Sequence, residues 1–131
     1  MAQTLEGKAR ELLEEGRNFA HVVTLRADGT PLPVLIWASV EDGRVALNSA
    51  EGRAWPANLR RTGTATILVA DHDDPYCYVT IDARLVEDTH EGAEDHIHAL
   101  ERKYRGGDRY PLKEGEQRIK FLLKPERVRV R

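Results

Sequence analysis

An antiparallel α+β barrel is the fold class that this sequence predicts, on three observations. Runs of strand-forming residues follow one another directly, joined by Asp-Gly hairpin signals at Asp28-Gly29 and Asp42-Gly43. Helical periodicity is confined to three short stretches inserted between those runs. No Gly-x-Gly-x-x-Gly follows a strand, which argues against a dinucleotide-binding parallel sheet.

The elements are read in order. Over residues 4–16, Leu5, Ala9, Leu12 and Leu13 recur at helical spacing, Thr4 is placed to cap the start and Gly16 to end the helix. Its one narrow apolar stripe suits the open end of a barrel or a partner surface. Phe19–Arg26 is rich in strand formers. Leu32–Val40 is its return strand, with Pro31 and Pro33 at the start, where an edge or bulge tolerates proline. Arg44–Ser49 is a third strand, and the three form a meander. A short helix over Ala54–Arg61 places Trp55 and Leu59 on one face, and Thr62-Gly63 ends it. The apolar run Thr64–Ala70 reads as a strand buried on both sides.

After an acidic loop, Asp71–Pro75, the stretch Tyr76–Glu87 alternates apolar and polar residues as a long strand. Thr89 is positioned to cap the longest helix, His90–Tyr104, which carries Ala93, Ile97, Leu100 and Tyr104 on one face before Gly106-Gly107. Two final strands, Gln117–Leu123 and Arg127–Val130, flank Lys124-Pro125-Glu126. At 131 residues the chain reads as one domain, a helical segment 1–17 followed by a barrel over 18–131.

Composition limits the function classes. A formal net charge of -2, with 20 basic against 22 acidic residues, gives no overall pull towards nucleic acid or an anionic membrane. No exposed aromatic-plus-basic groove of the kind that holds single strands is evident. No apolar run approaches the ~20 residues of a membrane span, and charges at Glu6, Lys8, Arg10 and Glu11 interrupt any signal-peptide core. With Cys77 the one cysteine, an internal disulfide is excluded. These features predict a cytoplasmic protein. His96 and His98 are two apart on a helix and diverge, so no metal site is expected. No Ser/His/Asp arrangement is visible, and no side chain is assigned as catalytic.

The chemistry concentrates in Leu47–Arg61, the end of a strand, a tight turn and a helix start. Gly52 permits the turn, and Pro56 suits a first helical turn. Unpaired N–H groups and the positive dipole end at such a helix start favour an anion. Arg53 is the candidate phosphate ligand, because a guanidinium matches phosphate oxygens bidentately. Asn48 and Ser49 are candidates for hydrogen bonds to a phosphate, side arm or ring, against the plain reading of a strand-end turn. Asn58 is a weaker candidate, against the favoured reading that it simply pins the turn. On the strand Leu32–Trp37, alternation separates Leu35 and Trp37 from Val34 and Ile36, and Leu35 is taken as a ring contact.

Taken together, Thr24-Leu25-Arg26-Ala27-Asp28-Gly29-Thr30-Pro31, Ile36-Trp37, Gly52-Arg53-Ala54, Asn58-Leu59-Arg60-Arg61 and Ala65-Thr66-Ile67-Leu68-Val69 resemble the split-barrel proteins related to pyridoxamine 5'-phosphate oxidase. Asp74-Pro75-Tyr76, Glu91-Gly92-Ala93, His96-Ile97-His98-Ala99-Leu100 and Lys103-Tyr104 resemble the branch of that superfamily that uses the deazaflavin coenzyme F420. The resemblance spans Asn18 to Val130. It implies an antiparallel split β-barrel with inserted helices. It further implies a homodimer with the cofactor in a groove between subunits, and hydride transfer between F420 and a small conjugated organic substrate. FMN is the alternative cofactor, with oxidase or reductase chemistry. From another class, the alternative is a non-catalytic split barrel that holds a cofactor or hydrophobic ligand. Most relatives carry a lysine two residues after the arginine matching Arg53; here Trp55 stands there, replacing a point charge with an aromatic face that would stack on a ring or fill the dimer seam. Tyr76, Tyr78, Tyr104 and Lys103 fall near the implied groove.

Overall fold

The computed structural model describes residues 4–131. In chain order the elements are α1 (Gly7–Glu14), β1 (Ala20–Leu25), β2 (Pro31–Ile36), β3 (Ala38–Glu41), β4 (Arg44–Ala50), α2 (Ala54–Thr62), β5 (Thr64–Ala70), β6 (Tyr78–Thr89), α3 (Ala93–Tyr104) and β7 (Arg118–Val130). The seven strands form one curled antiparallel sheet in the order β2-β1-β5-β6-β7-β4-β3. The α+β split-barrel architecture expected from the sequence is therefore present.

The expected three-strand meander is resolved differently. The run read as one strand, Leu32–Val40, breaks at Trp37. Its first half pairs with β1, Val34 opposite Val22, and its second half pairs with β4, Val40 opposite Val45. The two outermost strands of the sheet are thus consecutive in the chain, and the barrel is split between them. Trp37 leaves the ladder, and its ring stacks on Tyr104 of α3 at 5.3 Å.

Three further expectations are corrected. On β5, Ala65, Ile67 and Val69 are buried, whereas Thr64 and Thr66 are exposed. The strand is covered on one face only. The Lys124-Pro125-Glu126 segment does not separate two strands. It lies inside β7 at a register shift, with Arg127 opposite Asp82 and Pro125 opposite Ala83. Proline has no N–H to give to the ladder and is accommodated at such a bulge. Helix α3 starts at Ala93, after Gly92 at φ 77°. Thr89 accepts the Glu91 N–H at 3.1 Å in the turn before it instead of capping the helix.

Two apolar clusters form. The barrel interior holds Val22, Ile67 and Ile81 in one cross-strand row, with Val34 and Val128 at its ends. The same cluster takes in Leu5, just before α1, with Ala9, Leu12 and Leu13 of α1 and Trp55 and Leu59 of α2, so the narrow stripe of α1 packs on the barrel of its own chain. The smaller cluster lies under α3, where Ile97, Leu100 and Tyr104 meet Trp37, Tyr110 and Leu112. Alternation along β4 divides the two: Leu47 belongs to the interior, and Asn48 reaches the carbonyl of Ala93 on α3. Among the described residues no helix is long and apolar enough to cross a membrane.

Candidate functional site

A cleft of about 220 Å3 lies between α3, the bend at Trp37 and the start of α2. Phe19, Leu35, Ile36 and Trp37 form one apolar wall, and Ile97 and Leu100 of α3 another. Tyr110, from the irregular segment between α3 and β7, completes the lining with three polar residues, Asn48, Arg53 and Arg118.

Aromatic packing sets the shape. Tyr104 stacks between Trp37 and Phe19, at 5.3 and 5.7 Å, and Tyr110 meets Trp37 edge-on at 6.1 Å. Such contacts favour fixed ring orientations. The Tyr104 hydroxyl accepts the Ala38 N–H at 3.1 Å and donates to the Asn18 carbonyl at 2.6 Å, joining the segment just before β1 to the start of β3. Burial raises its pKa, so it stays a donor. Tyr110 is held by its own N–H, which donates to His98 Nδ1 at 2.9 Å. The Arg105 guanidinium lies 5.2 Å from the Trp37 ring, and that of Arg118 lies 5.2 Å from the Tyr110 ring, within cation–π range.

Asn48, 6% exposed, is the centre of a polar network. Its Nδ2 donates to the Ala93 carbonyl at 2.9 Å and to His96 Nδ1 at 3.0 Å. Its Oδ1 accepts Arg118 Nε at 2.9 Å. The amide orientation follows from these partners, since guanidinium only donates and a carbonyl only accepts. His96 Nδ1 is therefore an acceptor, the neutral ring carries its proton on Nε2, and Nε2 donates to Ser39 Oγ at 2.9 Å. Burial, with the charges of Lys120, Arg118 and Lys103, pushes the His96 pKa down to about 4. Arg118 is buried and pairs with Glu116 Oε2 at 2.5 Å. The Lys113 N–H, then Arg118, hold the Glu116 carboxyl below its usual range.

Arg53 is different. It occupies the N-cap position of α2 in an extended conformation and is exposed. Its guanidinium has no hydrogen bond or ion pair among the described residues, so a cation stands uncommitted beside the helix start.

Of the residues singled out from sequence, Leu35, Asn48 and Arg53 are brought together at the cleft. Three are placed elsewhere. Trp55 is 5% exposed and lies against Phe121 at 5.5 Å, because the inward face of α2 carries it into the core. It packs in the interior cluster and does not line the cleft. Ser49 is fully buried on the opposite face of β4 from Asn48, and among the described residues its Oγ has no hydrogen-bond partner. Asn58 is buried, donates to Thr24 Oγ1 at 3.3 Å and accepts from Arg61 at 3.2 Å, so it ties α2 to β1. Lys103 is fixed within its own chain: Nζ donates to the carbonyls of Ala38, at 2.7 Å, and Leu13. Burial lowers its pKa to about 8.

Arg118, Tyr110, Ile97 and Leu100 were not singled out from sequence as cleft residues. For Arg118 one signal exists, an arginine starting a strand that runs into apolar residues, in Arg118-Ile119-Lys120-Phe121-Leu122-Leu123. Among the described residues no group of three or more His, Cys, Asp or Glu is arranged to hold a metal ion.

No family model and no curated protein matches this sequence. Solved structures do match its fold. An F420 reductase is 20% identical with a TM-score of 0.82, over 95% of this chain and 98% of that one. A protein from Listeria innocua, provisionally named a pyridoxamine 5'-phosphate oxidase, is 17% identical with a TM-score of 0.65, over 91% of each chain. A heme binding protein from Mycobacterium smegmatis is 17% identical with a TM-score of 0.69, over 95% of this chain and 54% of that one.

Proposed function

From the premise that the chain has the split-barrel fold of the pyridoxamine 5'-phosphate oxidase-like superfamily, we propose that it is an F420-dependent oxidoreductase acting on a small conjugated organic substrate. FMN is the alternative cofactor. The observation that carries this reading is an apolar, aromatic-walled cleft with an uncommitted arginine, Arg53, at a helix N-terminus. That is the arrangement for a planar ring with a phosphate-bearing side arm. When bound, the deazaflavin supplies the hydride chemistry. The chain's own residues bind and orient: Arg53 and the α2 start take the phosphate, Leu35 and the Trp37 side of the cleft face the ring, and Asn48 meets a polar edge.

The working form is a homodimer. One chain offers about 220 Å3 of cleft, below the roughly 300–1,000 Å3 of a small-molecule site, so a second copy would supply a further wall. Leu35, 59% exposed on the edge strand β2, is available for that contact. Exposed Pro31 and Pro33 lack the N–H groups needed to extend the sheet. The partner would therefore meet the face of the sheet rather than its edge.

A non-catalytic holder of a cofactor or hydrophobic ligand is the second reading, favoured by the shared fold with a heme binding protein. Equilibrium binding of the purified protein to F420, FMN and heme side by side separates these readings, followed by hydride transfer from reduced F420 to a panel of activated enones. F420 binding with turnover supports the oxidoreductase. Binding without turnover supports the holder, and no binding of F420 or FMN removes the proposed function.

A further inference from the structure

Resting on the proposed flavin or deazaflavin reading, we infer that Asn48 and Arg118 recognise the imide edge of the cofactor ring, with Asn48 Oδ1 accepting the ring N–H and Arg118 donating to a flanking carbonyl. The inference comes from hydrogen-bond capacity. Both Asn48 Nδ2 hydrogens are committed, to Ala93 and His96. One lone pair of Oδ1 is committed to Arg118, leaving the second as the amide's free valence. Asn48 therefore presents an acceptor, not a donor, to whatever fills the cleft.

Arg118 presents the complement. Its Nε is used by Asn48 and its Nη1 by Glu116. Among the described residues Nη2 has no hydrogen-bond partner. Both residues line the cleft. An acceptor directly bonded to a donor group matches a ring N–H beside a C=O, the edge that flavins and deazaflavins share.

The polarity is locked. Turning the Asn48 amide over would set its NH2 against a guanidinium and its oxygen against the Ala93 carbonyl, two repulsive contacts in place of two hydrogen bonds. His96 holds the amide from α3, Ser39 fixes the His96 proton from β3, and Glu116 anchors Arg118. His96 is thus a positioning residue for the pair. A carboxylate edge arriving at the same place would meet the Asn48 oxygen, so the pair selects imides over anionic edges.

The test compares F420 with its N3-methyl derivative, and FMN with N3-methyl FMN, by equilibrium binding to the intact protein. Tenfold or greater weakening on N3-methylation is expected. In His96→Gln, confirmed as folded by circular dichroism, the ratio between parent and methylated ligand should fall towards one. Equal affinities for parent and methylated ligand in the native protein overturn the assignment while leaving the functional reading intact. A ratio unchanged by His96→Gln overturns the positioning role, and failure of both parents to bind overturns the functional reading itself.

Discussion

Arg53 and Arg118 line one cleft but stand in opposite electrostatic states. Arg118 is buried, paired with Glu116 and bonded to Asn48, so its charge is largely spent within the protein. Arg53 is exposed and has no ion pair among the described residues, so its charge is available to a ligand. Arg53→Ala should therefore weaken F420 or FMN binding by about 1.5–3 kcal/mol, the worth of a hydrogen bond to a charged group, with little change in melting temperature. Titration calorimetry alongside thermal denaturation checks both halves; unchanged affinity would remove the phosphate assignment. His96 gives a second expectation. Its folded pKa, about 4, lies below the ordinary 6.5. Between those values the unfolded chain binds the proton more readily than the native one. Its contribution to stability is thus complete above pH 6.5 and is lost as pH falls towards 4, about 3 kcal/mol in all at 1.36 kcal/mol per unit. Urea unfolding at pH 7 and pH 4.5 should show this loss in the native protein and a smaller one in His96→Gln.

At the scale of elements, α2 shows how a cofactor motif and a core helix share one stretch of chain. Its N-cap residue, Arg53, faces the cleft, while Trp55, two residues later, is buried against Phe121. Trp55→Ala should cost about 3–5 kcal/mol through the cavity left behind, read from the denaturation midpoint. Trp55→Lys should also destabilise, because it buries an ammonium in the interior cluster; tighter FMN binding without destabilisation would contradict the observed packing. The helix itself was legible from Pro56, the Trp55/Leu59 pair and the closing Gly63. The inward direction of Trp55 was not, since periodicity gives a shared face but not what covers it. The same limit applies to β5, read as buried on both faces from composition alone. The break at Trp37 had no local signature, because both halves of Leu32–Val40 are good strand sequence. For the site, Leu35, Asn48 and Arg53 were reachable because they precede α2 within one meander-like run. Arg118 and Tyr110 come from a segment more distant in sequence, brought in only by the β4–β7 pairing and the packing of α3.

For the whole molecule, the exposure of Leu35 on the edge strand β2 predicts self-association. Sedimentation velocity should find a dimer, and Leu35→Asp should shift it towards monomer, because a carboxylate at the contact would be desolvated without a partner. Cofactor binding should fall in parallel, since Leu35 also lines the cleft; a monomeric wild type with full affinity would contradict the dimeric groove. The Tyr104 hydroxyl that joins the segment before β1 to the start of β3 has a consequence for motion. The Ala38 N–H is satisfied by a side chain where a neighbouring strand would ordinarily serve, and that phenol belongs to the aromatic stack beside the cleft. A bound ring should therefore act as a wedge that props the seam shut. Deuterium uptake at the Ala38 amide would then slow on cofactor binding, while exchange along the continuous β5–β6 ladder stays at its ligand-free rate.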